Sequence, residues 1–132
     1  MRKIILIMSV SLMFLGCKSV STINREFENI NYSDGINRQE AILIAQKHIL
    51  DSGKKSLDIS SATIENSKTW HRLYKELAAQ YVADNFWIVR FGAKIGTNDW
   101  QNGLLLAYRY YVVVDKKTGN IVKEEEGLQD TL

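Results

Sequence analysis

Cysteine is nearly missing from this chain: Cys17 is the only one in 132 residues. A lone thiol outside any Cys-x-x-Cys pair excludes an internal disulfide and argues against a cysteine-held metal. Histidine is scarce as well. His48 and His71 form no His-x-x-x-His, His-Glu-x-x-His or Cys/His cluster, so zinc lacks ligands at their usual spacing, and no metal or other cofactor is expected. The glycines beyond residue 16 stand one at a time, which leaves no Gly-x-Gly-x-x-Gly or P-loop to cradle phosphate. Gly-x-Ser-x-Gly, and Ser-x-x-Lys in a helical context, are missing too. An excess of one charge is also lacking. Seventeen Lys and Arg face 15 Asp and Glu, and Arg2 and Lys3 precede Cys17, so the 116 residues from Cys17 onward carry no formal net charge. Without a basic field, nucleic acid is not an expected partner. Nor is there a long hydrophobic run: residues 4–15 supply about 12 mostly apolar positions, where a spanning helix needs about 20.

What is present begins with that short run. Arg2 and Lys3 give a positive start, serines alone interrupt the apolar stretch, and Gly16-Cys17 closes it, the three-part layout of an export signal. Phe14-Leu15-Gly16-Cys17 resembles the lipobox of bacterial lipoproteins. The resemblance implies a signal peptide over residues 1–16, removal of that segment, and a diacylglycerol on the Cys17 thiol as the first mature residue. Membrane lipid is then the first expected partner, since two or three acyl chains together anchor durably. Lys18 is not the Asp that resembles an inner-membrane retention signal, which directs the expectation to the outer membrane of an envelope that has one. The alternative is an ordinary signal anchor with a buried free thiol.

Residues 17–35 read as a lipidated tether, rich in Ser, Asn, Thr and Glu, with Val20, Ile23, Phe27 and Ile30 scattered among them. Extended, such a tether reaches about 55–60 Å at roughly 3.4 Å per residue. A short element around residues 26–32, packed through Phe27 and Ile30, is the other reading. A single domain is expected over residues 36–126, with a flexible tail over 127–132. Its first helix is predicted from Arg38 to about Asp51, with Asn37 as N-cap, Glu40 completing a capping box and Gly53 ending it. Residues 57–65 predict a strand of weak alternation, and residues 67–82 an amphipathic helix carrying Trp70, Leu73, Tyr74, Leu77 and Tyr81. From Phe86 the period becomes two, with Trp87, Val89 and Phe91 on one face and Phe86, Ile88 and Arg90 on the other. Residues 96–103 form a polar connection around Trp100. Residues 104–115 predict the longest and most central strand, apolar on both faces. A turn over residues 116–120 uses Gly119, a final short strand covers residues 121–123, and Glu124, Glu125 and Glu126 read as a solvated charge run.

Ile36-Asn-Arg-Gln-Glu-Ala41-Ile-x-x-Ala45 resembles the opening helix of PepSY-type domains. Phe86-Trp-Ile-Val-Arg-Phe91 is similar to their middle strand, and Tyr111-Val-Val-Val-Asp115-Lys-Lys-Thr118-Gly119-Asn-Ile121-Val122 to their closing hairpin. The aromatic segment at residues 67–82 and the connection at 96–103 depart from that pattern. The resemblance implies an extracytoplasmic module, helix packed across antiparallel sheet, associated with protease inhibition or regulation. The expected fold class is α+β, one or two helices on a three- to four-stranded antiparallel sheet, PepSY- or cystatin-like.

Asp99 and Trp100 are the candidate partner-binding residues, because a large aromatic in a polar loop needs a reason to be there. A tryptophan folding back over the sheet's end would also supply one. No catalytic residue is singled out. The leading functional expectation is a lipid-anchored binding or inhibitory module in the cell envelope, acting on a protein partner without catalysis. An immunity protein against a periplasmic toxin, a structural part of an envelope complex, and an enzyme with an unrecognised site are the alternatives.

Overall fold

Apolar residues on both faces of two neighbouring strands require cover on both faces, and the chain folds accordingly. The computed structural model describes residues 19–54, 56–66, 72–93 and 108–128. In chain order they form helix α1 (Val20–Glu28), a 3-10 turn (Tyr32–Asp34), helix α2 (Arg38–Ser52), strand β1 (Leu57–Ile64), helix α3 (Arg72–Gln80), and strands β2 (Phe86–Ala93), β3 (Tyr108–Asp115) and β4 (Ile121–Leu128). The strands make one antiparallel sheet in the order β1-β2-β3-β4, an α+β fold with β2 and β3 central.

Helix α2 starts where its sequence says it should. The Asn37 side chain accepts from the Glu40 amide at 2.8 Å while Glu40 accepts from the Asn37 amide at 2.9 Å. Such a cap is worth about 1 kcal/mol. Gly53 ends the helix in the left-handed region at φ 71°. Ala41, Ile44, Ala45 and Ile49 are buried on one face of the sheet against Val89, Phe91, Tyr110, Val112 and Val114. The other face carries Ile88, Tyr111 and Val113, covered by Tyr74 and Leu77 of α3. Both alternations read in the sequence therefore point to real cores.

Two expectations are corrected. Residues 20–34 are not a tether: α1 is capped by Ser19, which accepts from the Thr22 amide at 3.2 Å, and it buries Ile23 to 1% exposure. Val20, Ile23, Phe27 and Ile30 recur at steps of three, four and three, the period of a helix face. Of these, Ile23 is buried, Phe27 and Ile30 pack partly against the main core, and Val20 remains exposed. The second correction concerns the end of the sheet. Strand β4 runs to Leu128, so the three glutamates belong to a ladder with β3, with Glu124 opposite Val112 and Glu126 opposite Tyr110. The part of residues 127–132 that is described, Gly127–Leu128, continues that strand.

Strand β1 alternates weakly because it is bulged. Its register slips between Asp58 and Thr63, and Ser61 fills the gap by accepting from the Gly92 amide at 2.9 Å. Gln46 of α2 donates to the Ile59 carbonyl at 3.0 Å and ties the bulge to the core. No helix among the described residues is long and apolar enough to cross a membrane.

Candidate functional site

The edge strand β4 stands between two concavities, one on each face of the sheet. On the α2 face an open cleft of about 360 Å³ lies between Phe27 and Tyr32, the Lys47–His48–Asp51 stretch of α2, and the turn Thr118–Asn120. On the α3 face a groove of about 210 Å³ runs between Leu73, Glu76, Leu77 and Gln80 and the β4 residues Lys123 and Glu125.

The first cleft is built by three separate parts of the chain. The hairpin turn is held to the start of α2 by the Ile36 amide donating to the Lys116 carbonyl at 2.7 Å. The Trp87 indole donates to the Ile36 carbonyl at 2.8 Å, and the Lys116 ammonium sits 4.2 Å from the centre of the Trp87 ring. Gly119 makes the turn possible, with φ at 76° and no room for a Cβ beside the Tyr32 ring. Inside the cleft Lys47 bridges the walls: its ammonium donates to Asn24 at 2.8 Å and pairs with Asp51 at 3.1 Å.

Below the cleft lies a cluster that sequence spacing could not reveal. His48 Nε2 is 2.8 Å from Oε2 of Glu124, each side chain about a third exposed, at 31% and 32%. The Tyr110 hydroxyl donates to Oε1 of the same carboxylate. Burial pushes the Glu124 carboxyl up, but the Tyr110 bond, His48 and the nearby Lys54 charge outweigh it and hold the group below the ordinary carboxylate value. Both carboxylate oxygens are thus engaged, one by α2 and one by β3. The arrangement clamps β4 to the body and offers no activated nucleophile.

A second polar cluster lies on the α3 face. Oε2 of Glu65, a side chain only 10% exposed, accepts from the Tyr111 hydroxyl at 3.1 Å and lies 3.3 Å from Arg90 Nε. Burial first, then the Glu65 charge and hydrogen bond, push the Tyr111 hydroxyl well above the ordinary tyrosine value, so it stays protonated. Beside it a small cavity of about 130 Å³ is walled by Ile64, Tyr74, Tyr81 and Phe86. Tyr111 is fully buried, which makes this cluster a means of satisfying polar groups inside a core.

Cys17, Asp99 and Trp100 lie outside the described residues, as do Trp70, His71 and all of residues 94–107. The structure brings together instead His48, Glu124 and Tyr110, drawn from three different elements. The sequence signal for β4 was the short Ile121-Val122-Lys123 segment after the Gly119 turn; Glu124, Glu125 and Glu126 obscured its continuation. Among the described residues no group of three or more His, Cys, Asp or Glu side chains could hold a metal ion. No protein-family model matches the chain, and neither a curated protein nor a solved structure matches it significantly.

Proposed function

We propose that the chain is a lipid-anchored, PepSY-like binding or inhibitory module of the cell envelope, which holds a protein partner and performs no catalysis. The observation that carries the binding reading is the concave border on both faces of strand β4, where apolar and charged side chains lie together without a nucleophile–base pair. Anchoring rests on the lipobox-like Phe14-Leu15-Gly16-Cys17. Its consequence changes now that α1 is folded. Only Lys18 separates Cys17 from the Ser19 cap, so an acylated Cys17 would hold the body within about 10 Å of the headgroups, at roughly 3.4 Å per residue. Such a module works pressed to its bilayer, with α1 nearest the lipid.

The test is fractionation of native envelopes combined with crosslinking. The wild-type chain is expected in the membrane fraction, with a diacylglycerol mass on its first residue and a stoichiometric crosslinked protein. Cys17→Ser should leave the body folded and lose the lipid mass. Wild-type chain carrying an unmodified amino-terminal peptide would end the anchoring reading. A turnover activity of the purified protein, abolished by one side-chain change, would end the binding reading.

A further inference from the structure

The cavity beside the Tyr111 cluster carries more chemistry than its packing uses. It holds about 130 Å³ where β1 ends, α3 passes and β2 begins. Ala78 and Ile88 give it aliphatic wall, and Tyr81 and Phe86 aromatic wall, both rings only part-buried. The Tyr81 and Phe86 rings meet edge to face, 5.2 Å between centres. A space of this size suits one flat ring, since an apolar cavity of about 150 Å³ holds a benzene.

Two polar side chains, each nine-tenths buried or more, line the same space with bonding capacity to spare. Glu65 is 10% exposed; its Oε2 takes the Tyr111 hydroxyl and Arg90, and among the described residues no hydrogen bond reaches Oε1. Tyr74 is 7% exposed, and among the described residues its hydroxyl makes no hydrogen bond. Burial first, then the Glu65 charge, push that hydroxyl above the ordinary tyrosine value, so it keeps its proton to donate. Buried polar groups are seldom left with nothing to bond. Charge narrows the occupant further. Arg90 at 3.3 Å already balances Glu65, and the Lys116 ammonium, over the Trp87 ring, lines the cavity too. An added cation would find the carboxylate paired and two cations beside it, while an anion would face Glu65 itself. A neutral group that both donates and accepts meets neither penalty.

From this geometry we infer that the cavity binds one neutral phenolic ring, its O–H donating to Glu65 Oε1 and accepting from the Tyr74 hydroxyl, its ring against Tyr81 and Phe86. The inference goes beyond the binding-module reading and does not depend on it. The same chemistry arrives as a free phenol or as the tyrosine side chain of a partner.

The experiment uses the purified full chain in non-ionic detergent, with free probe measured across a dialysis membrane so that uptake by micelles is subtracted. The probes are para-cresol, toluene, para-toluate, benzylammonium and a capped Gly-Tyr-Gly peptide. Para-cresol should bind at least tenfold tighter than toluene, as expected for a hydrogen bond to a charged acceptor, and the two charged probes should not saturate. Amide NMR shifts should move at Glu65, Tyr74, Ala78 and Phe86 and not at His48 in the α2-side cleft. Ala78→Leu fills the cavity and should abolish binding. Glu65→Gln weakens the acceptor at constant shape and should cut the preference over toluene at least threefold, an independent variant should the first fail to fold. Equal affinity for para-cresol and toluene, saturable binding only elsewhere, or no binding at all would overturn the proposal; the last would leave the cavity to water or to the chain itself. Para-cresol binding without the peptide would assign a free phenol, and binding of both a partner's tyrosine. Crosslinking in native envelopes, which tests the binding module, is read separately, so either proposal can fail alone.

Discussion

Replacing Ile23 with Ala asks whether the chain is folded from its first described residues or only from Ile36. Ile23 is 1% exposed and is the only fully buried residue of α1. The substitution removes three carbon atoms, about 2.4 kcal/mol at about 0.8 kcal/mol for each buried methylene. A cavity left behind would add to this, and collapse of a short peripheral helix would subtract, so about 2–3 kcal/mol is expected. Docking is reinforced by Lys47, which donates to Asn24 and lies 5.9 Å from the centre of the Phe27 ring. Urea unfolding followed by tryptophan fluorescence should show the midpoint falling by about 0.7–3 M, given slopes of about 1–3 kcal/mol per molar. Where α1 opens on its own, exchange of its amides should instead accelerate by roughly 30- to 150-fold, the same free energy at about 1.4 kcal/mol per decade. Val20→Ala, at a position 56% exposed, is the control and should cost under about 0.5 kcal/mol. An unchanged midpoint together with unchanged α1 exchange in Ile23→Ala would refute the docked helix and restore a tether.

Three further predictions bear on the site. Gly53→Ala and Gly119→Ala share a positive φ but not the space around it: nothing lies within 4 Å of a Cβ at Gly53, whereas one at Gly119 would sit 2.7 Å from the Tyr32 ring. The first should cost about 1–2 kcal/mol of left-handed strain and the second clearly more, with thermal midpoints giving the order. Tyr111→Phe removes a hydrogen bond to a charged acceptor but leaves Arg90 beside Glu65, so calorimetry should find a loss near the low end of such bonds, about 1.5 kcal/mol. Glu124→Gln tests the clamp through pH. A carboxyl held below its ordinary value contributes stability that is present above that value, near 4.5, and is lost as pH falls through the folded-state value. The urea midpoints of wild type and variant should therefore differ at pH 7 and converge as the medium is acidified below pH 4.5; a constant gap would show that Glu124 acts by shape rather than charge.

What could be read from the sequence was what local chemistry settles. Asn37 and Glu40 satisfy each other's amides three residues apart, so the start of α2 follows from the sequence alone, and Gly53 marks its end in the same way. The two-faced alternation from Phe86 and through Tyr110 to Val114 likewise predicts a central pair of strands with cover on both sides, and the structure supplies it with α2 and α3. Helix α1 was legible and yet obscured. Its Ser19 cap and three-four-three spacing are ordinary helix signals, but a composition of Ser, Asn, Thr and Glu reads as linker unless the spacing is weighed first.

The β4 region differs in kind. Three adjacent glutamates have low strand propensity, and nothing within their own segment favours extension. The strand forms because Val112 and Tyr111 lie opposite Glu124 and Glu125, and because Tyr110 of the neighbouring strand and His48 of α2, far away in the chain, reach Glu124. Such partners are invisible to any window on the sequence. A strand built against its local propensity is held by contacts that only the folded chain brings together.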